Sequence, residues 1–234
     1  MNNIEDIKKE EASCANEEVI YKHKRKIFYS IIKRGFDIFA SAAALIVFSV
    51  PMVIVAALVW STSKGSILFK QQRVGRKGKL FYCLKFRTMY ITAPHSVATS
   101  DLENASEHIT RLGKFLRKTS LDELPQFINI LRGDMSFVGP RPLIPSEERI
   151  HELRHSYGVY NIRPGVTGWA QINGRDKITV EEKAAYDRYY YENRSLLFDI
   201  KILFLTVPKV FFGADIVEGK RVDKKRSKKK ENKK

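Results

Sequence analysis

Cysteine is nearly absent: Cys14 and Cys83 are the only two in 234 residues. Two cysteines exclude a disulfide framework and a four-cysteine zinc site, and their scarcity points to a reducing compartment. Acidic residues are also in short supply. Asp plus Glu number 26 against 42 Lys plus Arg, for a formal net charge of +16, and none occurs between Asp37 and Asp101. Such an imbalance favours anionic partners, namely phosphates, an acidic membrane face or nucleic acid, and says nothing of the fold. Internal repeats are lacking, which excludes solenoids and propellers. What is present is enough for a core: 44% of residues are hydrophobic and 11% aromatic, which excludes wholesale disorder and suits one or two domains.

Residues 38–60, IFASAAALIVFSVPMVIVAALVW, run for 23 positions without a charge. A straight helix of that length reaches about 34 Å, enough for a hydrocarbon core of ~30 Å. The segment is not a cleavable signal, because it starts too far in, is too long, and ends on Trp60 where a small residue is required. Its flanks oppose a plain crossing. Lys22, Lys24, Arg25, Lys26, Lys33 and Arg34 precede it, and Lys64, Lys70, Arg73, Arg76, Lys77, Lys79, Lys85 and Arg87 follow. Basic flanks stay on the cytoplasmic side, so both ends favour the same face. Pro51 removes a backbone donor and kinks the helix, and Ser49 could satisfy a freed carbonyl. Two readings stand: a helix that enters one leaflet, bends at Ser49–Pro51 and returns, or a single-pass anchor with a tolerated proline. A second apolar stretch, 196–212, is interrupted by Asp199, Lys201, Pro208 and Lys209. It reads either as an interfacial helix, with Phe198, Phe204, Phe211 and Phe212 dipping into lipid, or as a core helix.

The last 17 residues, 218–234, hold ten basic and three acidic side chains and almost nothing apolar. They read as a disordered tail that either solubilises the chain or is drawn to anionic lipid headgroups. Residues 1–20 are of mixed charge and read as mobile.

Between these lies a soluble part. Residues 67–69 and 79–86 read as short strands around the turn-rich VGRKGK. Ile109, Leu112, Phe115 and Leu116 recur at helical spacing beside Arg111, Lys114, Arg117 and Lys118, which predicts a basic amphipathic helix over 107–118. TSLDELP then breaks it. Pro125 suits the first turn of the next helix, with Asp122 as its N-cap and Gly133 as its C-cap. MSFVGPRP reads as a short apolar segment ending in a rigid turn, RPGVTGWAQINGR as a loop or tight hairpin, and 180–192 as a helix crowded with Tyr186, Tyr189, Tyr190 and Tyr191.

Asp122 and Glu123 are the candidate chemistry. Adjacent carboxylates at a helix start sit in the positive field of the helix dipole, can share a hard cation such as Mg²⁺, and can divide into nucleophile and metal ligand. The plainer alternative is a cap: Asp122 alone, or a Ser120–Glu123 capping box. Lys85, Arg87, Arg117, Arg141 and Arg163 lie in short turn-bounded motifs, as a pyrophosphate substrate would require. One motif competes. His151-Glu-Leu-Arg-His155 fits the H-E-x-x-H zinc pattern. Its surroundings are polar, and no third ligand stands at a suggestive spacing.

From residue 33 to about 213 the chain resembles the bacterial sugar transferase family, the monotopic polyprenyl-phosphate phosphoglycosyl transferases. The strings that carry this are KRGFDIF, LFKQQRVGRKGKLF, LKFRTM, RLGKFLRKTSLDELPQFINILRGDMSFVGPRPL, IRPGVTGWAQINGR and YDRYYYENRSLLFDIKIL. The resemblance implies transfer of a sugar-1-phosphate from a UDP-sugar to a polyprenyl phosphate, releasing UMP, in glycan or exopolysaccharide synthesis. It implies Mg²⁺ and a re-entrant membrane helix. Asp122 would be the nucleophile that carries the phosphosugar, and Glu123 would hold the metal with it. Lys85, Arg87, Arg117, Arg141, Arg163 and Asp187 would bind substrate. In many relatives the helix break is Ser-Pro; here it is Ser49-Val50-Pro51. The expected fold is α/β of the helix-rich α+β kind: a small cytosolic catalytic domain with short strands (65–217), a basic flank and re-entrant helix (22–64), and two tails (1–21 and 218–234). The expected setting is the cytoplasmic face of a bacterial inner membrane, with anionic lipids as partners, no nucleic acid, and a homodimer left open. A membrane zinc hydrolase using His151 and His155, and a tethered nucleic-acid-binding protein using the basic tail, are the alternatives. The second leaves LDELP and GPRP without a role.

Overall fold

The computed structural model describes residues 26–62, 64–93, 105–174 and 178–212. The two tails lie outside the described residues, as do the side chains of Phe211 and Phe212.

The described residues begin with two helices, α1 (Lys26–Val47) and α2 (Ser49–Thr62), bent by 61° at the break between them. The bend has a local cause. Pro51 has no N–H to give to the carbonyl four residues back. Ser49 Oγ donates to the Ile46 carbonyl at 2.7 Å, one residue before the Val47 carbonyl that Pro51 leaves free, so the expected repair by Ser49 falls on the neighbouring group. No single helix among the described residues is long and apolar enough to cross a membrane; the bent pair meets that test by length and composition. Much of its surface is bare apolar side chain, including Phe28, Ile31, Phe39, Ile46, Val47, Val53 and Trp60. Its other faces are docked. Val55 and Val59 of α2 pack with Phe86, Leu116 and Leu124. On α1, Asp37 accepts from the Ser136 hydroxyl and the Phe137 N–H.

The two strands expected around VGRKGK are present and form a hairpin. Strands β1 (Leu68–Val74) and β2 (Leu80–Phe86) pair antiparallel from Leu68 opposite Phe86 to Val74 opposite Leu80. Their connection is a 3₁₀ turn at Arg76–Gly78, in which Lys77 takes φ 58° and Gly78 φ 73°. β1 extends well past residue 69, because the polar run KQQR still pairs by backbone.

The helix expected over 107–118 is divided instead. Ala105–His108 (α3) and Arg111–Lys118 (α4) are separated where Ile109 bridges Met89 and Thr110 caps α4 by accepting from the Gly113 N–H at 2.8 Å. A 3₁₀ turn at Leu121–Glu123 and α5 (Gln126–Arg132) follow. Asp122 is therefore not the N-cap of α5, and no capping box forms: Pro125 holds the cap position, and the Glu123 side chain points to Lys85. Gly133 ends α5 in the left-handed region, φ 96°, as expected.

The segment RPGVTGWAQINGR is not a hairpin. It supplies β4 (Gly165–Thr167), parallel to β3 (Ser136–Val138), and then α7 (Trp169–Ile172). The approach is so close that a Cβ on Gly165 would lie 2.1 Å from the Gly139 nitrogen. Helices α6 (Glu148–Ser156) and α8 (Val180–Asn193) pack around Leu143, Ile150 and Ala184. The final helix, α9 (Leu196–Phe212), divides its faces: Ile202 is fully buried against Val138 and Tyr190, while Leu197 and Phe204 stand exposed. The core reading holds for the buried side, and Phe198, expected to dip into lipid, packs instead against Trp169, Tyr189 and Tyr190. The whole is helix-rich with short strands, consistent with an α/β domain.

Candidate active site

The turn carrying the dyad is held from both sides. Ser120, just before it, adopts φ 56°, a left-handed conformation unusual for a residue with a Cβ. Behind it Leu124 is locked into the cluster with Val55 and Val59 of α2. Helix α5 is tied to β2 by Asn129, whose Oδ1 accepts from the Leu84 N–H at 3.0 Å and whose Nδ2 donates to the Tyr82 carbonyl at 2.8 Å. That clamp fixes the next residue on β2, Lys85, relative to the dyad.

Lys85 Nζ reaches the Glu123 Oε1 at 2.6 Å, and an Arg141 Nη1 lies 4.0 Å from the same oxygen. Asp122 is only 6% exposed. Burial pushes its carboxyl up from 3.8 to about 6; Lys85 and Arg117 oppose this and the Glu123 charge adds to it. Its carboxylate is thus ionised at neutral pH but unusually basic, a profile that suits a nucleophile. Arg117, at the end of α4, is oriented by donating its Nε to Thr88 Oγ1 at 2.8 Å. The Arg87 guanidinium lies over Gly65, where a Cβ would come within 2.6 Å of its Nη1.

Two expected site residues lie elsewhere. Arg163 is at the far end of α5, donating its Nε to the Gly133 carbonyl at 2.8 Å. Arg34 joins it there, giving Nη1 and Nη2 to the carbonyls of Ile130 and Leu131 at 2.7 and 2.9 Å. Asp187 is buried in α8, where one carboxylate oxygen accepts from Arg154 at 2.9 and 2.5 Å. Sequence reasoning passed over Arg154 because it sat inside the H-E-x-x-H match. The signal for it was an arginine one helical turn beyond the apolar Ile150. Asn129 was also missed. Its signal was an amide inside the apolar run FINIL.

The H-E-x-x-H pair does not form a metal site. His151 Nε2 lies 2.8 Å from the Ile144 carbonyl, and Nδ1 bonds the Tyr160 hydroxyl. Both ring nitrogens are therefore engaged within the protein, and no group of three metal-ligating side chains occurs among the described residues. The dyad offers a different donor set. Two neighbouring carboxylates beside cations that can grip phosphate suit Mg²⁺, which takes one or two carboxylates and fills its remaining positions with water and substrate phosphate.

Comparison with known proteins gives consistent matches. Residues 28–213 match the family model described as bacterial sugar transferase. The exopolysaccharide production protein ExoY of Rhizobium meliloti is 40% identical over 195 residues, covering 76% of this chain and 84% of that one. The uncharacterized sugar transferase EpsL of Bacillus subtilis is 39% identical, covering 84% of this chain and 95% of its own. The UDP-glucose:undecaprenyl-phosphate glucose-1-phosphate transferase of Escherichia coli is 41% identical over 77% of this chain, which spans 40% of that longer protein.

Proposed function

The chain belongs to the bacterial sugar transferase family, and from that premise we propose that it transfers a sugar-1-phosphate from a UDP-sugar to a polyprenyl phosphate at the cytoplasmic face of a bacterial inner membrane. The observation that carries the reading is the buried Asp122 carboxylate, raised to about 6 and flanked by Lys85, Arg117 and Glu123. A carboxylate that is ionised at neutral pH yet more basic than usual is both available and reactive. Names among the relatives support the chemistry, since three of them are undecaprenyl-phosphate glucose phosphotransferases.

In this mechanism an Asp122 oxygen attacks the donor's β-phosphorus. The bond from that phosphorus to the α-phosphate oxygen breaks, and UMP leaves with the electron pair. A phosphate oxygen of the polyprenyl acceptor then attacks the same phosphorus, releases the Asp122 carboxylate and forms the diphosphate. Both displacements use one phosphate site in turn, which suits a soluble donor and a lipid acceptor. Lys85 orients Glu123 through their 2.6 Å contact. Arg117 and Arg141 supply positive charge for the phosphates. Asp122 and Glu123 are the residues that would hold Mg²⁺, which when bound neutralises phosphate charge.

For the membrane, we read the bent α1–α2 pair as re-entrant. Its bare apolar surface and its two basic flanks support this. A screen of UDP-sugars with undecaprenyl phosphate, scored by UMP release, tests the reaction; mass spectrometry of the acceptor-free mixture should find a phosphosugar on Asp122. If no donor yields UMP, the reading fails. A cysteine at Ser30, in a background lacking Cys14 and Cys83, should resist an impermeant reagent added outside intact cells. Labelling from outside would mean that the pair spans.

A further inference from the structure

Residues 139–144, GPRPLI, carry Arg141 to the dyad, yet two of the six are prolines without a backbone donor. At its ends the Gly139 N–H donates to the Thr167 carbonyl and the Ile144 N–H to the Glu147 carboxylate, both at 2.9 Å; between them the segment is held by its carbonyls. The Gly165 N–H donates to Pro140 at 2.9 Å and the Val74 N–H to Leu143 at 2.9 Å. Side chains hold others: Arg73 Nη1 donates to Pro142 at 3.2 Å, and Arg154 Nη1 to Arg141 itself at 2.9 Å. Arg154 is only 2% exposed. A guanidinium at that depth must be neutralised, and Asp187 of α8 does so through Nε and Nη2, leaving Nη1 for the Arg141 carbonyl.

We infer that Arg154, neutralised by Asp187, is a positioning residue for the transfer reaction: it fixes the Arg141 backbone so that the Arg141 guanidinium stays at Glu123. A continuous chain of contacts runs from Asp187 on α8 through Arg154 on α6 and Arg141 on the loop to Glu123 and Lys85. A planar fork is the group that can serve a carboxylate and a carbonyl at once, and a displacement near 1 Å at a phosphate-binding arginine is enough to cost on the order of a hundredfold in rate. The kinetic consequence rests on the transferase reading; the structural one does not.

The test uses the full chain in lipid nanodiscs. Arg154→Lys keeps a cation for Asp187 but loses the fork. It should lower kcat/KM about tenfold to a hundredfold with little change in Tm. In an Arg141→Ala background the same change should cost nothing further, because the two residues act as one unit. Hydrogen exchange across 139–144 should rise in Arg154→Lys. Arg149→Ala, on the exposed face of the same helix, should leave rate and exchange alone. Additive losses in the double variant, full activity of Arg154→Lys, or unchanged exchange across 139–144 would each overturn the inference. If the wild type releases no UMP from any donor, the transferase reading is what fails, and the exchange measurement still decides whether Arg154 holds the loop.

Discussion

Asp122 and Asp199 are both buried carboxylates beside a lysine, and they differ in where that lysine's bond goes. Asp199 on α9 accepts from Lys33 Nζ at 2.6 Å and Tyr29 Oη at 2.8 Å, both on α1, and from Tyr190 Oη at 2.7 Å on α8. Three donors from two other helices converge on it, so its work is to join α1, α8 and α9. At Asp122 the nearest lysine is bonded to the neighbouring Glu123 instead, and burial outweighs the surrounding cations. A carboxylate that is fully bonded holds elements together; one kept charged against its surroundings holds free energy that a substrate phosphorus and a cation can use.

Substitution at each position should separate these roles. The largest effect on turnover is expected from Asp122→Asn, which keeps the shape and removes the nucleophile; UMP release should fall by at least about a thousandfold, with the fold intact by circular dichroism. Glu123→Gln should also be severely impaired, and raised Mg²⁺ should restore part of its rate. A near wild-type rate for Asp122→Asn would place the two carboxylates in one class and remove the covalent step.

Asp199→Asn should do the reverse. Leaving Lys33 without its carboxylate is expected to cost about 3 kcal/mol of stability, seen in denaturant unfolding, while the kcat/KM of protein that stays folded changes by a few-fold at most. A hundredfold loss in folded protein would show that this cluster also serves the chemistry.

The pH dependence of stability sharpens the contrast. In the folded protein Asp122 titrates near 6, above its ordinary 3.8. The native state therefore takes up that proton first as pH falls, and the ionised carboxylate destabilises the fold fully above about 6 and not at all below about 4. Asp122→Asn should accordingly raise stability by up to about 3 kcal/mol at pH 8, with the gain vanishing at pH 4. Equal gains at both values would remove burial of charge as the cause. The smallest effect belongs to His155→Ala: transfer should stay near wild type, and added zinc should not raise it.

Local chemistry made several features legible in advance. The turn-rich VGRKGK announced the two strands around it, Gly133 the end of α5, and Pro51 the break after α1. Adjacency alone put Asp122 beside Glu123. Where the notional helix over 107–118 failed, a long-range bridge from Ile109 to Met89 and the Thr110 cap overrode helical spacing. Asp122 was misplaced as a cap because Ser120, the residue before its turn, takes a left-handed conformation that no sequence rule for serine anticipates.

By itself, then, the sequence determined the long uncharged apolar segment, the basic surroundings and the acidic pair, since runs of like side chains and neighbouring charges need no folding to be read. Tertiary structure alone decided which arginines meet the dyad. Arg141 arrives there because β3 pairs in parallel with β4 and because Arg154 and Asp187 meet across two helices. Arg163, two residues before that same β4, is carried to the opposite end of α5. Pairing between segments nearly thirty residues apart is set by packing and by what each buried carbonyl can find as a donor, and neither is written in local order.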